Sequence, residues 1–235
     1  MLPTLATPKY DMIVPSTGKP ITYRPYVVKE EKILLIAMES NDEKAINNAV
    51  LDTIKACVES PININDLTRF DVEYMFVTLR SKSVGEGIKI NPSCEHCKTD
   101  NLVKIDIDKV TVSNLDKADV DLHYKLTDDI SLDLKWQTMK DRNRIIESES
   151  ETETIIQMIA NSIETVYSGE EIMTIGNTPK QEVIDFVESL NTDQFAGIVE
   201  ILSKVPYLSY DVKFDCVKCE KGNTIGLSGL IDFFQ

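Results

Sequence analysis

Four of the five cysteines fall in two C-x-x-C pairs, Cys94/Cys97 in NPSCEHCK and Cys216/Cys219 in FDCVKCEK. A two-residue spacer lets both thiolates of a pair face one cation at the tip of a tight turn. Two such turns supply the four sulfurs of a tetrahedral structural zinc site. Residues 98–215 separate the pairs, far more than in a compact finger. A metal held by Cys94, Cys97, Cys216 and Cys219 would therefore tie remote stretches of chain together, and the expected cofactor is a single structural Zn2+. Iron and redox chemistry are alternatives for the same thiols. A redox pair, however, usually sits where a helix begins after a strand. Here Lys98 and Asn101 follow the first pair, and Lys218 to Asn223 surround the second, which suits turns with amides free to bond sulfur. Disulfides fit poorly, because nothing marks the chain as secreted. His96 lies inside the first knuckle, but its neighbours already provide a full ligand set. His123 reads as a solvated strand residue, and Cys57 as a small buried hydrophobe on a helix.

Composition bounds the partners. The chain has 235 residues, 42% of them hydrophobic and 27% charged, with a formal net charge of −14. That suffices for a packed core and argues against unaided nucleic-acid binding, which requires clustered Lys and Arg. A basic partner surface fits better. No apolar run approaches the roughly 18 residues of a membrane span. The opening MLPTLATPKYD lacks the basic region and apolar stretch of a signal peptide, so a cytoplasm-like setting with reduced thiols is expected.

The elements that must carry the knuckles follow from periodicity. The spacing predicts an extended N-terminal arm over 1–27, with a turn near Ser16–Lys19. Helices are predicted over Glu30–Met38, over Ala45–Cys57, and from about Leu67 to Lys82, where Asn65 or Asp66 can cap the start. After Gly85 and Gly87 the period becomes two: Ile88 and Ile90 lead into the first knuckle, and Val103, Ile105 and Ile107 lead out. Val120–Leu126 and Ile130–Trp136 read as antiparallel strands around a turn at Thr127–Asp129. Helical spacing returns with Ile155, Ile156, Ile159, Ile163 and Val166. Thr178-Pro179-Lys180-Gln181 reads as a capping box, and Thr192 as the cap of the following helix. A strand over Leu208–Phe214 enters the second knuckle, and Ile225 and Leu227 leave it. The expected fold class is α+β, with a helical bundle-like core, a short antiparallel β region and a split zinc ribbon. Residues 28–235 read as one domain in which 86–112 and 208–230 form the ribbon lobe and 113–207 are inserted between its halves.

A catalytic reading finds little to build on. The chain has only two histidines, and no G-x-G-x-x-G, Walker loop, G-x-S-x-G or H-E-x-x-H. A four-thiolate site also leaves no open position for a zinc-activated water. The chain is expected not to be an enzyme.

Several stretches resemble the baseplate hub proteins of T-even-type contractile-tail phages. They are GKPITYRPY, NINDLTRFDVEYMFVTLRSKSVGE, TPKQEVIDFVESL and VPYLSYDVKFDCVKC with the ending LSGLIDFF. The resemblance is clearest at Phe70, Glu73, Tyr74, Phe76, Leu79, Arg80, Ser81, Ser83, Val84 and Gly85, and at Gly229, Phe233 and Phe234. It implies a non-enzymatic structural or assembly protein of the central hub, located in the tail baseplate of the virion and in the host cytoplasm during assembly. It also implies other hub or wedge proteins as partners, and a possible homo-oligomer within the baseplate. Arg80, Phe233 and Phe234 are the candidate partner-binding residues. The competing reading is a zinc-ribbon adaptor on the host transcription machinery, for which Lys98, Lys213, Lys218 and Lys221 near the knuckles give slight support. A thiol oxidoreductase is a third.

Overall fold

Alternation in YDMIVPSTGKPITY closes β1 (Tyr10–Ile13) on β2 (Pro20–Tyr23) in an antiparallel hairpin, Tyr10 opposite Tyr23 and Ile13 opposite Pro20. Gly18 turns the chain at φ 65°, a left-handed conformation that glycine adopts without a Cβ clash. Met12, Val14, Ile21 and Tyr23 are buried, so the hairpin contributes one face to a core. These features come from a computed structural model that describes residues 5–85, 87–113, 121–142 and 150–228. The fold is α+β, with seven α-helices and short antiparallel sheets among the described residues. The chain groups into two compact units.

The first unit gathers the chain up to Ile64, Phe70–Ser113 and the chain from Tyr207 onward. Its helices are α1 (Val28–Glu39), α2 (Glu43–Cys57) and α3 (Arg69–Val84, whose first residue falls in the other unit). Asp42 caps α2 by accepting the Lys44 N–H at 2.9 Å. Ala49, Val50, Ile54 and Cys57 form its buried stripe, and α3 buries Val72, Met75, Phe76 and Leu79, as the 3.6-residue period requires. Buried carboxylates are partnered: Asp71 accepts the Ser16 N–H at 2.8 Å, and Glu30 accepts from Arg24 at 3.0 Å. The start of α3 differs from expectation. Ile64–Asp66 form a 3-10 turn, which moves the first helical residue to Arg69. Helix α1 is less buried than its composition suggests: Leu34 and Ala37 are covered, while Ile33, Leu35 and Ile36 are exposed.

Strands β3 (Gly87–Ile90) and β4 (Val103–Asp106) form one antiparallel pair. Strand β5 (Thr111–Ser113) pairs with β10 (Tyr207–Asp215), which pairs in turn with β11 (Gly222–Ser228), giving the order β11-β10-β5. The cysteine turns join β3 to β4 and β10 to β11.

The second unit comprises Asn65–Arg69 and Asn114–Pro206. It is an antiparallel meander of β6 (His123–Lys125), β7 (Ile130–Leu134), β8 (Ile163–Ser168) and β9 (Glu171–Thr174), in sequence order. Its helices are α4 (Met139–Arg142), α5 (Glu151–Ser162), α6 (Lys180–Glu188) and α7 (Thr192–Leu202). Leu132, Leu134, Ile159, Ile163, Val166, Val187 and Ile198 form one buried core.

Three local expectations are corrected here. Helical spacing from Ile155 to Val166 breaks after Ser162, and Ile163–Ser168 is a strand. The run Ile-Glu-Thr-Val-Tyr is rich in β-branched and aromatic side chains, and Gly169 at φ 59° turns it into β9. Thr178 does not cap α6: Pro179 holds the cap position without a side-chain bond, and Gln181 reaches Asp185 at 2.8 Å instead. The cap of α7 lies one residue earlier, at Asn191, in a reciprocal box with Gln194.

Candidate metal centre

Each cysteine pair is carried on a turn between two antiparallel strands, and the two turns share one hydrogen-bond pattern. In the first, the Cys94 N–H donates to Thr99 O at 2.8 Å and the Lys98 N–H to Cys94 O at 2.9 Å. In the second, the Cys216 N–H donates to Lys221 O at 3.0 Å and the Glu220 N–H to Cys216 O at 2.9 Å. Lys98 and Glu220, each just after the second cysteine, are left-handed at φ 59° and φ 57°. That conformation costs a non-glycine residue roughly 1–2 kcal/mol, so the surroundings must impose it.

The two turns meet. Cys94 Sγ lies 3.7 Å from Cys219 Sγ, and Cys97 Sγ lies 3.5 Å from Cys216 Sγ. All four sulfurs fall within 4.8 Å of one another. Four thiolates about 2.3 Å from a central ion would be separated by about 3.8 Å, so the cluster has the size a tetrahedral ion needs. Cys94 and Cys216 are buried, while Cys97 and Cys219 are partly covered. The sequence-predicted ligands are therefore brought together, and they could hold a metal ion.

Local hydrogen-bond donors act on these sulfurs. Burial would raise the Cys94 thiol, but N–H groups of Cys97 and His96 outweigh it and hold the pKa below the ordinary thiol value. The Thr99 hydroxyl and N–H lower Cys97, and the N–H groups of Cys219 and Lys218 lower Cys216. At Cys219 the Lys221 N–H acts in the same sense, but burial and the other three sulfurs prevail and hold the thiol up at about 11. Backbone and hydroxyl donors thus favour the thiolate form at Cys94, Cys97 and Cys216, the form in which cysteine binds a metal.

Two residues outside the predicted set complete the site. Asn101 Oδ1 accepts the Val217 N–H at 2.9 Å, and Asn223 Oδ1 accepts the Glu95 N–H at 2.9 Å. Each asparagine stands four positions after the second cysteine of its own turn. The readable signal was therefore a repeat of C-x-x-C-x-x-x-N, present as CEHCKTDN and CVKCEKGN. A buried polar side chain needs such partners to avoid the cost of desolvation, and both asparagines are buried.

A family model for the T4 bacteriophage base plate protein matches residues 7–235. The chain belongs to that family. Among curated relatives of this baseplate family, it is 25% identical over 233 residues to the baseplate hub assembly protein gp26 of Enterobacteria phage T4, covering 97% of each chain. No solved structure matches. Within the described residues of this family member, no helix is long and apolar enough to cross a membrane.

The remaining candidates fall elsewhere. His96 is exposed at the tip of its turn. His123 lies on β6, its Nδ1 2.7 Å from Asp133 Oδ1, while the Tyr167 hydroxyl donates to Asp133 Oδ2 at 2.5 Å. Cys57 is fully buried at the end of α2, and burial pushes its thiol up to about 11, which keeps it inert. Arg80 is half-buried on α3 beside the Tyr26 hydroxyl. Its Nε is buried and has no hydrogen-bond acceptor among the described residues. Phe233 and Phe234 lie outside the described residues.

Proposed function

We propose that this chain is a non-enzymatic structural or assembly protein of a phage tail baseplate hub, clasped by a structural Zn2+ on Cys94, Cys97, Cys216 and Cys219. The observation that carries the metal reading is the convergence of four sulfurs from turns separated by more than half the chain. Residues 86–112 and 208–230 then form a split zinc ribbon, with 113–207 inserted between its halves. Closing so long a loop costs roughly 4–5 kcal/mol of chain entropy. Zinc bound by thiolates in small fingers supplies about 10–16 kcal/mol, which offsets that cost. All four positions of a tetrahedral ion are taken by protein sulfur, so the ion holds structure and activates no water.

Membership of the base plate family and the relative named as a hub assembly protein support the hub role. They also support a place in the virion tail, or in the host cytoplasm during assembly. Other baseplate proteins are the proposed partners, with a homo-oligomer as a further possibility, and with neither nucleic acid nor membrane. Exposed Val28, Ile33, Leu35 and Ile36 on α1 support a protein-binding surface. Arg80 is proposed as a partner contact because its Nε lacks an acceptor among the described residues, and Phe233 and Phe234 as terminal anchors. Charge reversal by Arg80→Glu should abolish hub assembly in an infected-cell complementation assay at an unchanged melting temperature. Lost folding would remove Arg80 from the contact set.

Elemental analysis of the purified chain tests the clasp. The expected result is equimolar zinc, lost in Cys94→Ser and in Cys216→Ser together with part of the lobe's stability. A wild type purified without bound metal would overturn it, and iron in place of zinc would correct the ion. Recovery of RNA polymerase without tail proteins, in a pull-down from infected cells, would favour the transcription adaptor instead.

A further inference from the structure

We propose that Asn101 and Asn223 form a reciprocal staple that joins the two cysteine turns through protein hydrogen bonds and aligns them for the ion. The purpose of the staple rests on the metal reading above, whereas its existence rests on hydrogen-bond geometry alone. Each side-chain amide works in both directions. Asn101 Nδ2 donates to Thr99 O at 2.7 Å while its Oδ1 takes the Val217 N–H at 2.9 Å. Asn223 Nδ2 donates to Lys221 O at 2.8 Å while its Oδ1 takes the Glu95 N–H at 2.9 Å. Thr99 O and Lys221 O are the carbonyls that close each asparagine's own turn, against Cys94 and Cys216. Each asparagine thus grips the end of its own turn and the start of the other.

The chemistry explains the residue type. One group must donate and accept within a short reach, which asparagine does and aspartate does not. Exposure of 2% at Asn101 and 5% at Asn223 means that neither bond is replaceable by water without opening the lobe. The position explains the consequence for the metal. The N–H groups of His96 and Cys97 face the Cys94 sulfur, and those of Lys218 and Cys219 face the Cys216 sulfur. The N–H immediately before each of those pairs, on Glu95 or Val217, is held by the opposite asparagine. Fixing that peptide fixes the orientation of the two that follow. Asn101 and Asn223 are positioning residues: they touch no ion, and they keep the sulfur donors aimed. In a finger peptide, metal binding and folding are one event. In this chain the staple closes the lobe independently, so metal uptake is capture by a formed site.

Amide hydrogen exchange on the full chain, after removal of metal with a chelator, tests the staple. The wild type should protect the amides of both Glu95 and Val217. Asn101→Ala should release Val217 and spare Glu95, and Asn223→Ala should do the reverse. Both amides exposed in the chelated wild type, or both lost together in either variant, would overturn the staple. With cobalt(II) as the probe, each alanine variant should release the ion to a competing chelator about tenfold faster or more, with its thiolate charge-transfer band shifted. Release at the wild-type rate with crosswise exchange intact would overturn the role in metal holding. If the wild type takes up no metal at all, the metal reading fails and crosswise exchange alone decides the staple. Should an alanine variant not fold, Asn101→Asp and Asn223→Asp replace it. They keep the acceptor oxygen and lose the donor, so the cross-turn amide should stay protected while cobalt release still accelerates; release at the wild-type rate would overturn the role.

Discussion

The cysteine lobe and the β6–β9 unit are stabilised by opposite means. The second unit is local: its strands lie in sequence order, and its core from Leu132 to Ile198 comes from a nearly continuous stretch of chain. The cysteine lobe pairs β3 with β4 and β10 with β11, and its turns meet through four sulfurs and two asparagines. Apolar burial distributed over many side chains tolerates loss of any one of them. A lobe dependent on a few directional contacts between remote segments does not. A protein built this way should have one unit that folds early from near contacts and one whose closure waits on long-range pairing.

Metal removal should divide the two most sharply. The single tryptophan, Trp136, belongs to the second unit and serves as its reporter. In Cys94→Ser, the β10–β11 amides should exchange faster and lose part of their protection, while Trp136 emission keeps its native maximum. An emission shift in step with the lost protection would break the contrast and make the chain one cooperative structure.

Truncation in the second core should give the converse. Leu132 and Ile198 are fully buried, and removing such a side chain to alanine typically costs about 2–5 kcal/mol. Leu132→Ala should shift the Trp136 urea transition by about 3 kcal/mol and leave the metal content unchanged. Loss of metal from that variant would show that the second core also supports the cysteine lobe.

A smaller effect isolates a polar support within the second unit. Asp141 is buried; its Oδ2 accepts from Lys135 at 2.9 Å, from the Thr138 N–H at 3.1 Å and from the Thr138 hydroxyl at 2.9 Å. Burial raises its pKa, but Lys135 and Thr138 outweigh that and hold it below the ordinary carboxylate value. A depressed folded-state pKa stabilises above the unfolded value, near 3.9, and the contribution disappears as pH falls through the lower folded value. Asp141→Asn should cost about 2 kcal/mol at neutral pH, read from the Trp136 transition. The wild-type advantage should be constant above about pH 5 and shrink below about pH 4. An advantage independent of pH would assign the effect to packing.

Periodicity made much of this legible beforehand. The apolar stripes of α2, α3, α6 and α7 and the hairpin around Thr127–Asp129 could be read because each depends only on neighbours in sequence. The hairpin of β8 and β9 could not, since Ile159, Ile163 and Val166 satisfy helical spacing by coincidence and only tertiary pairing decides. Asn191 in place of Thr192 is a one-residue error among residue types that cap almost equally well. The four clustered cysteines were visible by type and spacing. The asparagines share the repeat C-x-x-C-x-x-x-N, but their role was hidden for a physical reason: their bonds cross between turns, and a repeat does not state which N–H each amide reaches.

The smallest expected effect tests whether the lobe imposes its own backbone. Lys98 and Glu220 are left-handed at equivalent places, and both are exposed. If that strain is local and the cross-turn contacts maintain it, glycine should relieve it without altering the sulfurs. Glycine removes the Cβ clash but adds unfolded-state entropy, two terms of about 1 kcal/mol that nearly cancel. Lys98→Gly and Glu220→Gly should therefore each change lobe stability by less than about 1 kcal/mol, and should leave cobalt release at the wild-type rate. A markedly faster release from either variant would mean that the side chain, rather than the backbone turn, helps to retain the ion. Because the turns are equivalent, the two substitutions should also behave alike. An effect at one position only would show that the matching hydrogen-bond patterns conceal unequal mechanical roles.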